Sequence, residues 1–168
     1  MAIQLSFEDL IEYTDWERAK WREFLRTRGD EVLKIGVGSN GDGRFHSVGD
    51  VVRHIFSAEA RYIDRLSERE LTDTSRVAND TVEALFEFGA RSRRQLQEFV
   101  ATFPIERWDE HLELKLMNST IRATPRKIVV HVLMHEIRHW PQIATLLRLN
   151  GIVAEFRDFL FSPVMSGC

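Results

Sequence analysis

Four long stretches of this 168-residue chain repeat apolar side chains every three or four positions, and each has its own boundary signals. The first opens at Ser6, with Asp9 three residues later in the capping-box position. It places Leu10, Tyr13, Trp16, Trp21, Phe24 and Leu25 at mostly helical spacing and stops at Gly29. Gly36, Gly38, Gly41 and Gly43 then mark a loop. The second helix starts at Ser47, with Asp50 again three residues on, and its apolar face runs from Val48 through Val52, Ile55 and Ile63 to Leu66. His54 lies along that face, four residues before Ala58 and eight before Tyr62. A polar connection over residues 70–80 follows. At ~3.3 Å per extended residue it spans a helix, so the third helix can run parallel or antiparallel to the second.

The third helix is expected to be capped by Asp80, to carry Val82, Leu85, Phe86, Leu96, Phe99 and Val100, and to end before Pro104. Between residues 105 and 123 the period changes. His111 to Leu116 alternates strictly, Asn118-Ser119 offers a turn, and Thr120-Ile121-Arg122 returns, which predicts a small β-hairpin. Thr124 followed by Pro125 opens the fourth helix, which runs to Asn150 with Gly151 as its stop. The expected architecture is all-α, a four-helix bundle with a hairpin between the third and fourth helices, forming a single domain over residues 1–168.

Charge narrows the function. Twenty-three basic and 26 acidic residues give a net charge of -3, which argues against nucleic acid or an anionic membrane as the partner. Arg91, Arg93 and Arg94 therefore read as a solvated face or an interface. No apolar run approaches the ~20 residues of a membrane span. The N-terminus lacks the basic and apolar regions of an export signal, and the single cysteine, Cys168, can form no internal disulfide. A reduced, cytoplasmic protein is expected, with Cys168 inert on a frayed end.

The core-facing series of the fourth helix contains an anomaly: Ile128, Val132, His135, His139, Gln142, Ile143, Leu146. His131, His135 and His139 recur every four residues, so neighbours can share a metal ion. The outer pair, ~12 Å apart along the axis, cannot. A third ligand must come from elsewhere, and His54 is the histidine on an apolar face of a second long helix; His46 and His111 fall in loops. Three buried imidazoles without partners would each leave a polar nitrogen unsatisfied, and a metal removes that cost.

His135-Glu136-Ile137-Arg138-His139 also matches H-E-x-x-H, the zinc-protease pattern. No further histidine follows at the extended spacing and no sheet precedes it to hold a peptide, so protease activity is rejected. Glu136 remains as a candidate base for another metal-assisted reaction, against a plainer reading as a solvated helix glutamate. Half of a ferritin-like di-iron site, Glu136-x-x-His139, has no second half here.

Val51-Val52-Arg53-His54-Ile55-Phe56, followed about 80 residues later by the series from His131 through Gln142, resembles the DinB family, whose last helix reads His-x3-His-x3-His-Arg-Gly-Gln. Asp158-Phe159-Leu160-Phe161 resembles its closing segment. The resemblance spans the chain and implies an up-down-down-up bundle, often dimeric. It also implies a divalent metal, zinc or nickel, on His54, His135 and His139. Relatives include transferases dependent on bacillithiol or mycothiol, maleylpyruvate isomerase-like proteins and metal-dependent hydrolases. Trp140-Pro141 stands where Arg-Gly is usual; Pro141 should kink the helix, and Gln142 is placed to support a ligand.

Three neutral imidazoles leave the cation's double charge intact and a coordination position open. Water there would ionise near pH ~7, or a low-molecular-weight thiol would bind as thiolate. The expected function is thus a metal-dependent thiol S-transferase or hydrolase acting on a small molecule, as a homodimer. The rival reading is a non-catalytic metal-binding stress-response dimer.

Overall fold

A computed structural model describes residues 5–38, 43–116, 119–155 and 157–165. It contains α1 (Phe7–Arg28), α2 (Val48–Leu66), α3 (Val82–Thr102) and α4 (Pro125–Leu149), with β1 (Leu112–Leu116) and β2 (Ser119–Ala123) between the last two helices. The expected Asn118 turn, Gly41 and Cys168 lie outside the described residues.

Local chemistry sets the boundaries. Ser6 Oγ accepts from the Asp9 amide at 3.1 Å while the Asp9 carboxylate accepts from the Ser6 amide at 2.8 Å, a complete capping box. The Ser47 and Thr124 hydroxyls cap α2 and α4 by accepting from the Asp50 and Lys127 amides, without the reciprocal bond, and Pro125 occupies the first turn of α4 where its missing N–H costs nothing. For α3 the expectation shifts by one residue: Thr81, not Asp80, accepts from Ala84 at 3.3 Å. The Asp30 carboxylate, from the loop after α1, takes the Val82 amide at 2.8 Å. Two good cap formers stand side by side, and this tertiary contact accompanies the choice of Thr81. α4 continues through Pro141 as helix, losing only the intrahelical donor to the Ile137 carbonyl.

Cross-helix pairs fix the directions. Phe56 lies against Gly89 and Glu59 pairs with Arg93, so numbers rise together and α2 and α3 are parallel. His54 meets His139 while Tyr62 meets His131, so α4 runs against α2. Arg22 pairs with Glu83 and Asp15 with Arg93, so α1 opposes α3. Arg18 with Glu136 and Trp21 with Trp140 make α1 and α4 parallel. The order is up-down-down-up.

Two apolar clusters fill the interior. One gathers Trp21, Leu25, Val52, Phe56, Leu85, Trp140 and Ile143; the other gathers Ile11, Ile63, Leu96, Phe99, Trp108 and Leu133, with Leu114 and Ala123 of the hairpin. Trp21 is thus core, stacked on Trp140 at 5.3 Å between centroids. Gly89 is where α3 approaches α2 most tightly: a Cβ there would sit 2.9 Å from three ring carbons of Phe56. Among the described residues no helix is long and apolar enough to cross a membrane.

Candidate metal centre

His135 and His139, one turn apart on α4, face His54 across the α2–α4 seam. The Nε2 atoms of His54 and His135 are 3.1 Å apart, as are those of His139 and His135, and all three ligand atoms lie within 4.8 Å of one another. Three nitrogens around a tetrahedral ion at ~2.0–2.1 Å would stand ~3.3 Å apart. The structure therefore brings together the residues the sequence proposed. Phe45 from the loop before α2 covers the group, 4.8 Å from the His54 ring and 6.1 Å from His139 between centroids. His131 packs on Tyr62 at the exposed edge, and His46 and His111 are exposed.

Proton arithmetic tests whether a cation fits. Gln142 Oε1 lies 2.8 Å from His139 Nδ1, and a carbonyl only accepts, so that nitrogen carries the proton and Nε2 presents a lone pair. His135 Nε2 then faces two neighbours with at most one hydrogen. Protonated, it donates to His139 but cannot accept from His54; unprotonated, it meets the lone pair of His139 at 3.1 Å. No tautomer satisfies both contacts with good geometry, whereas a shared cation satisfies all three nitrogens. Burial, reinforced by the charges of His139 and His54, pushes His135 down to about 3, so it is neutral and ligand-ready at neutral pH.

Glu136 occupies neither place the sequence offered it. It is 2% exposed, which excludes a solvated glutamate. Its Oε1 accepts from Arg18 Nε at 2.6 Å and Trp140 Nε1 at 3.1 Å; its Oε2 accepts from Arg18 Nη2 at 2.7 Å and Arg93 Nη2 at 2.8 Å. Those four bonds fill the acceptor positions of a carboxylate, leaving none for a substrate proton. Arg18 and Arg93 also hold Glu59, which accepts from Ser92 as well. Arg93 is therefore a buried anchor, not part of a solvated arginine face. One charged residue from each helix thus meets in a layer between the two apolar clusters. Trp140, one turn after Glu136, donates its indole N–H into this layer, a role that its place in the sequence does not signal.

Beside His54, a cleft of about 210 Å³ opens between Arg44, His46, Arg53, Ser57 and Thr74. Of the three histidines, His54 alone lines it.

No curated protein matches the sequence. Among solved structures, a DinB-like protein from Bacillus cereus superposes with a TM-score of 0.62 at 12% identity, covering 88% of this chain and 94% of that one. At such identity the likeness speaks for the fold alone. A profile of the DinB family matches residues 1–165, encompassing every helix, the hairpin and all three converging histidines. With the whole bundle inside that match, this chain belongs to the DinB family.

Proposed function

We propose that the chain is a divalent-metal-dependent enzyme acting on a small molecule, a thiol S-transferase or a hydrolase, with zinc or nickel held by His54, His135 and His139. The observation that supports this best is the convergence of three Nε2 atoms whose contacts no tautomer satisfies. Among the described residues, no carboxylate or thiol joins the three histidines as a fourth ligand, which favours a working centre over a closed clamp. When bound, the cation would supply a Lewis-acidic position that favours the deprotonated form of a water or thiol.

The protein's own part is positional. Gln142 fixes the tautomer and orientation of His139, Phe45 shields the cluster from bulk water on one side, and the cleft beside His54 admits substrate. Glu136, fully engaged with two arginines, anchors the α4 turn from which His135 and His139 project.

Elemental analysis of purified protein tests the reading. Wild type should retain about one divalent ion per chain after dialysis. His54→Ala and His135→Ala should each lose it, and His131→Ala should keep it. Zinc- and nickel-loaded protein screened with thiols and electrophiles should then consume thiol or hydrolyse substrate. Retention of metal by both ligand variants would overturn the assignment.

A further inference from the structure

On the far side of α4 from the histidines lies a larger cavity of about 660 Å³, roofed by residues 153–155 and 157–159. Trp140, Pro141 and Ala144 line it from α4, and a helix turns ~100° per residue, so this wall points roughly 180° away from His135. Nothing in the proposed metal chemistry uses it. Its volume falls in the range of small-molecule sites.

One wall of the cavity carries a carboxyl group with an oxygen that has no hydrogen-bond partner among the described residues. Glu17 on α1 is 4% exposed, and its Oε2 makes no hydrogen bond among the described residues. Around it stand the rings of Tyr13, Trp21, Trp140 and Phe159. That wall already attracts a cation: the Arg157 guanidinium lies 4.2 Å from the Trp21 ring centroid. Yet Arg157 Nη1 donates to the Glu155 carbonyl at 2.8 Å, and no ion pair with Glu17 is present among the described residues. Ile137 and Pro141 line the same wall, and Pro141 has no N–H to give the Ile137 carbonyl its helical bond. Acceptors plus aromatic faces suit a donor-rich cation with an apolar body.

We propose that this cavity is a second ligand site, separate from the histidine centre, which takes an organic ammonium: the nitrogen pairs with Glu17 and the apolar portion packs against Trp21, Trp140 and Phe159.

The charge balance gives the site a signature. Burial first, and the nearby Glu136 second, push the Glu17 carboxyl up to about 8; the Trp21 indole N–H and Arg157 act in the opposite sense. Arg148, Glu155 and Asp158 also line the cavity, and Tyr13 is itself held up to about 12 by burial. The empty site therefore holds a proton at neutral pH. A ligand ammonium displaces it, because an ion pair in a low-dielectric cavity favours the charged carboxylate. Binding releases about one proton near pH 6–7, and affinity rises nearly tenfold per pH unit up to ~8 before levelling.

Isothermal titration with 2-phenylethylamine, 2-phenylethanol and 3-phenylpropanoate tests this, in buffers of different ionisation enthalpy and in a His135→Ala background. The amine should bind saturably with proton release, at least tenfold tighter than the alcohol at pH 8, and equally well without His135. The carboxylate should not bind. Glu17→Gln, which preserves side-chain volume, should abolish both the proton release and the amine preference. Equal binding of amine and alcohol, or an unchanged amine affinity in Glu17→Gln, would overturn the proposal. Dependence on His135 would place the amine at the histidine cluster instead and equally overturn it. None of these outcomes bears on metal content.

Discussion

Residues 135 and 136 are neighbours in the chain but belong to opposite kinds of polar cluster. His135 joins two other imidazoles at a seam between two helices, where no arrangement of protons satisfies every contact. Glu136 joins Arg18, Glu59 and Arg93, drawn from all four helices, in a layer where two buried cations meet two buried carboxylates, with the half-exposed Asp15 at its rim, and where the carboxylate oxygens of Glu59 and Glu136 have partners. A polar cluster that is complete without a guest holds a fold together. One that is incomplete is built for a guest. Satisfaction, more than burial or charge, separates structural from functional polarity in this bundle.

Disrupting the complete cluster should produce the largest effect. Arg93→Ala leaves Arg18 alone against the two buried carboxylates of Glu59 and Glu136, so one buried negative charge loses its compensation, and removing one partner of a buried pair costs about 3–5 kcal/mol. Chemical denaturation should show that loss, while an exposed pair such as Arg26 with Glu23 should contribute no more than about 1 kcal/mol when Arg26 is replaced by Ala.

Glu17 stands between the two classes, buried and without an ion-pair partner among the described residues. Its carboxyl titrates near 4.5 in the unfolded chain and at about 8 in the fold. Below the lower value both states are protonated and Glu17 costs nothing; as pH rises toward 8 the unfolded chain ionises first and stability falls. Between pH 5 and 8 the wild type should therefore lose on the order of 3 kcal/mol relative to Glu17→Gln, measured by urea unfolding at each pH. A flat difference would remove Glu17 from the unsatisfied class.

Packing beside the charge layer gives an intermediate effect. Gly89→Ala gains helix propensity but forces a Cβ into the Phe56 ring, so a net loss of about 1–3 kcal/mol is expected. Pairing it with Phe56→Leu should recover part of that loss.

The smallest structural effect should come from the incomplete cluster. Without metal, His54→Ala should change unfolding stability by less than about 1 kcal/mol, since it removes contacts that were never mutually satisfied. With metal at a hundredfold excess over its dissociation constant, wild type should gain about 2.7 kcal/mol and His54→Ala should gain far less.

Much of this was legible before any coordinates. Caps at Ser6, Ser47 and Thr124 are local devices, read from a few residues, and the histidine spacing is a helix property. Sequence alone favours Asp80 over Thr81 because the contact that accompanies Thr81, from Asp30, is tertiary. The charge layer does not show on any one helix, where a lone Arg or Glu suggests solvent. A signal was present: Glu59 sits midway between Ile55 and Ile63, Arg93 four residues after Gly89, and Glu136 between Val132 and Trp140, each within an apolar stripe. Two acids and two bases on four buried stripes pair with one another, and that pairing takes Glu136 away from the chemistry its H-E-x-x-H position suggested.

The central claim, that one divalent ion is shared by imidazoles of α2 and α4, is tested most directly by X-ray absorption at the metal edge of the loaded wild-type protein. The account predicts about three histidine nitrogens, at ~2.0–2.1 Å for zinc, completed by light atoms from outside the histidine set. In thiol-free buffer, a shell with sulfur, or with fewer than two imidazoles, would contradict it.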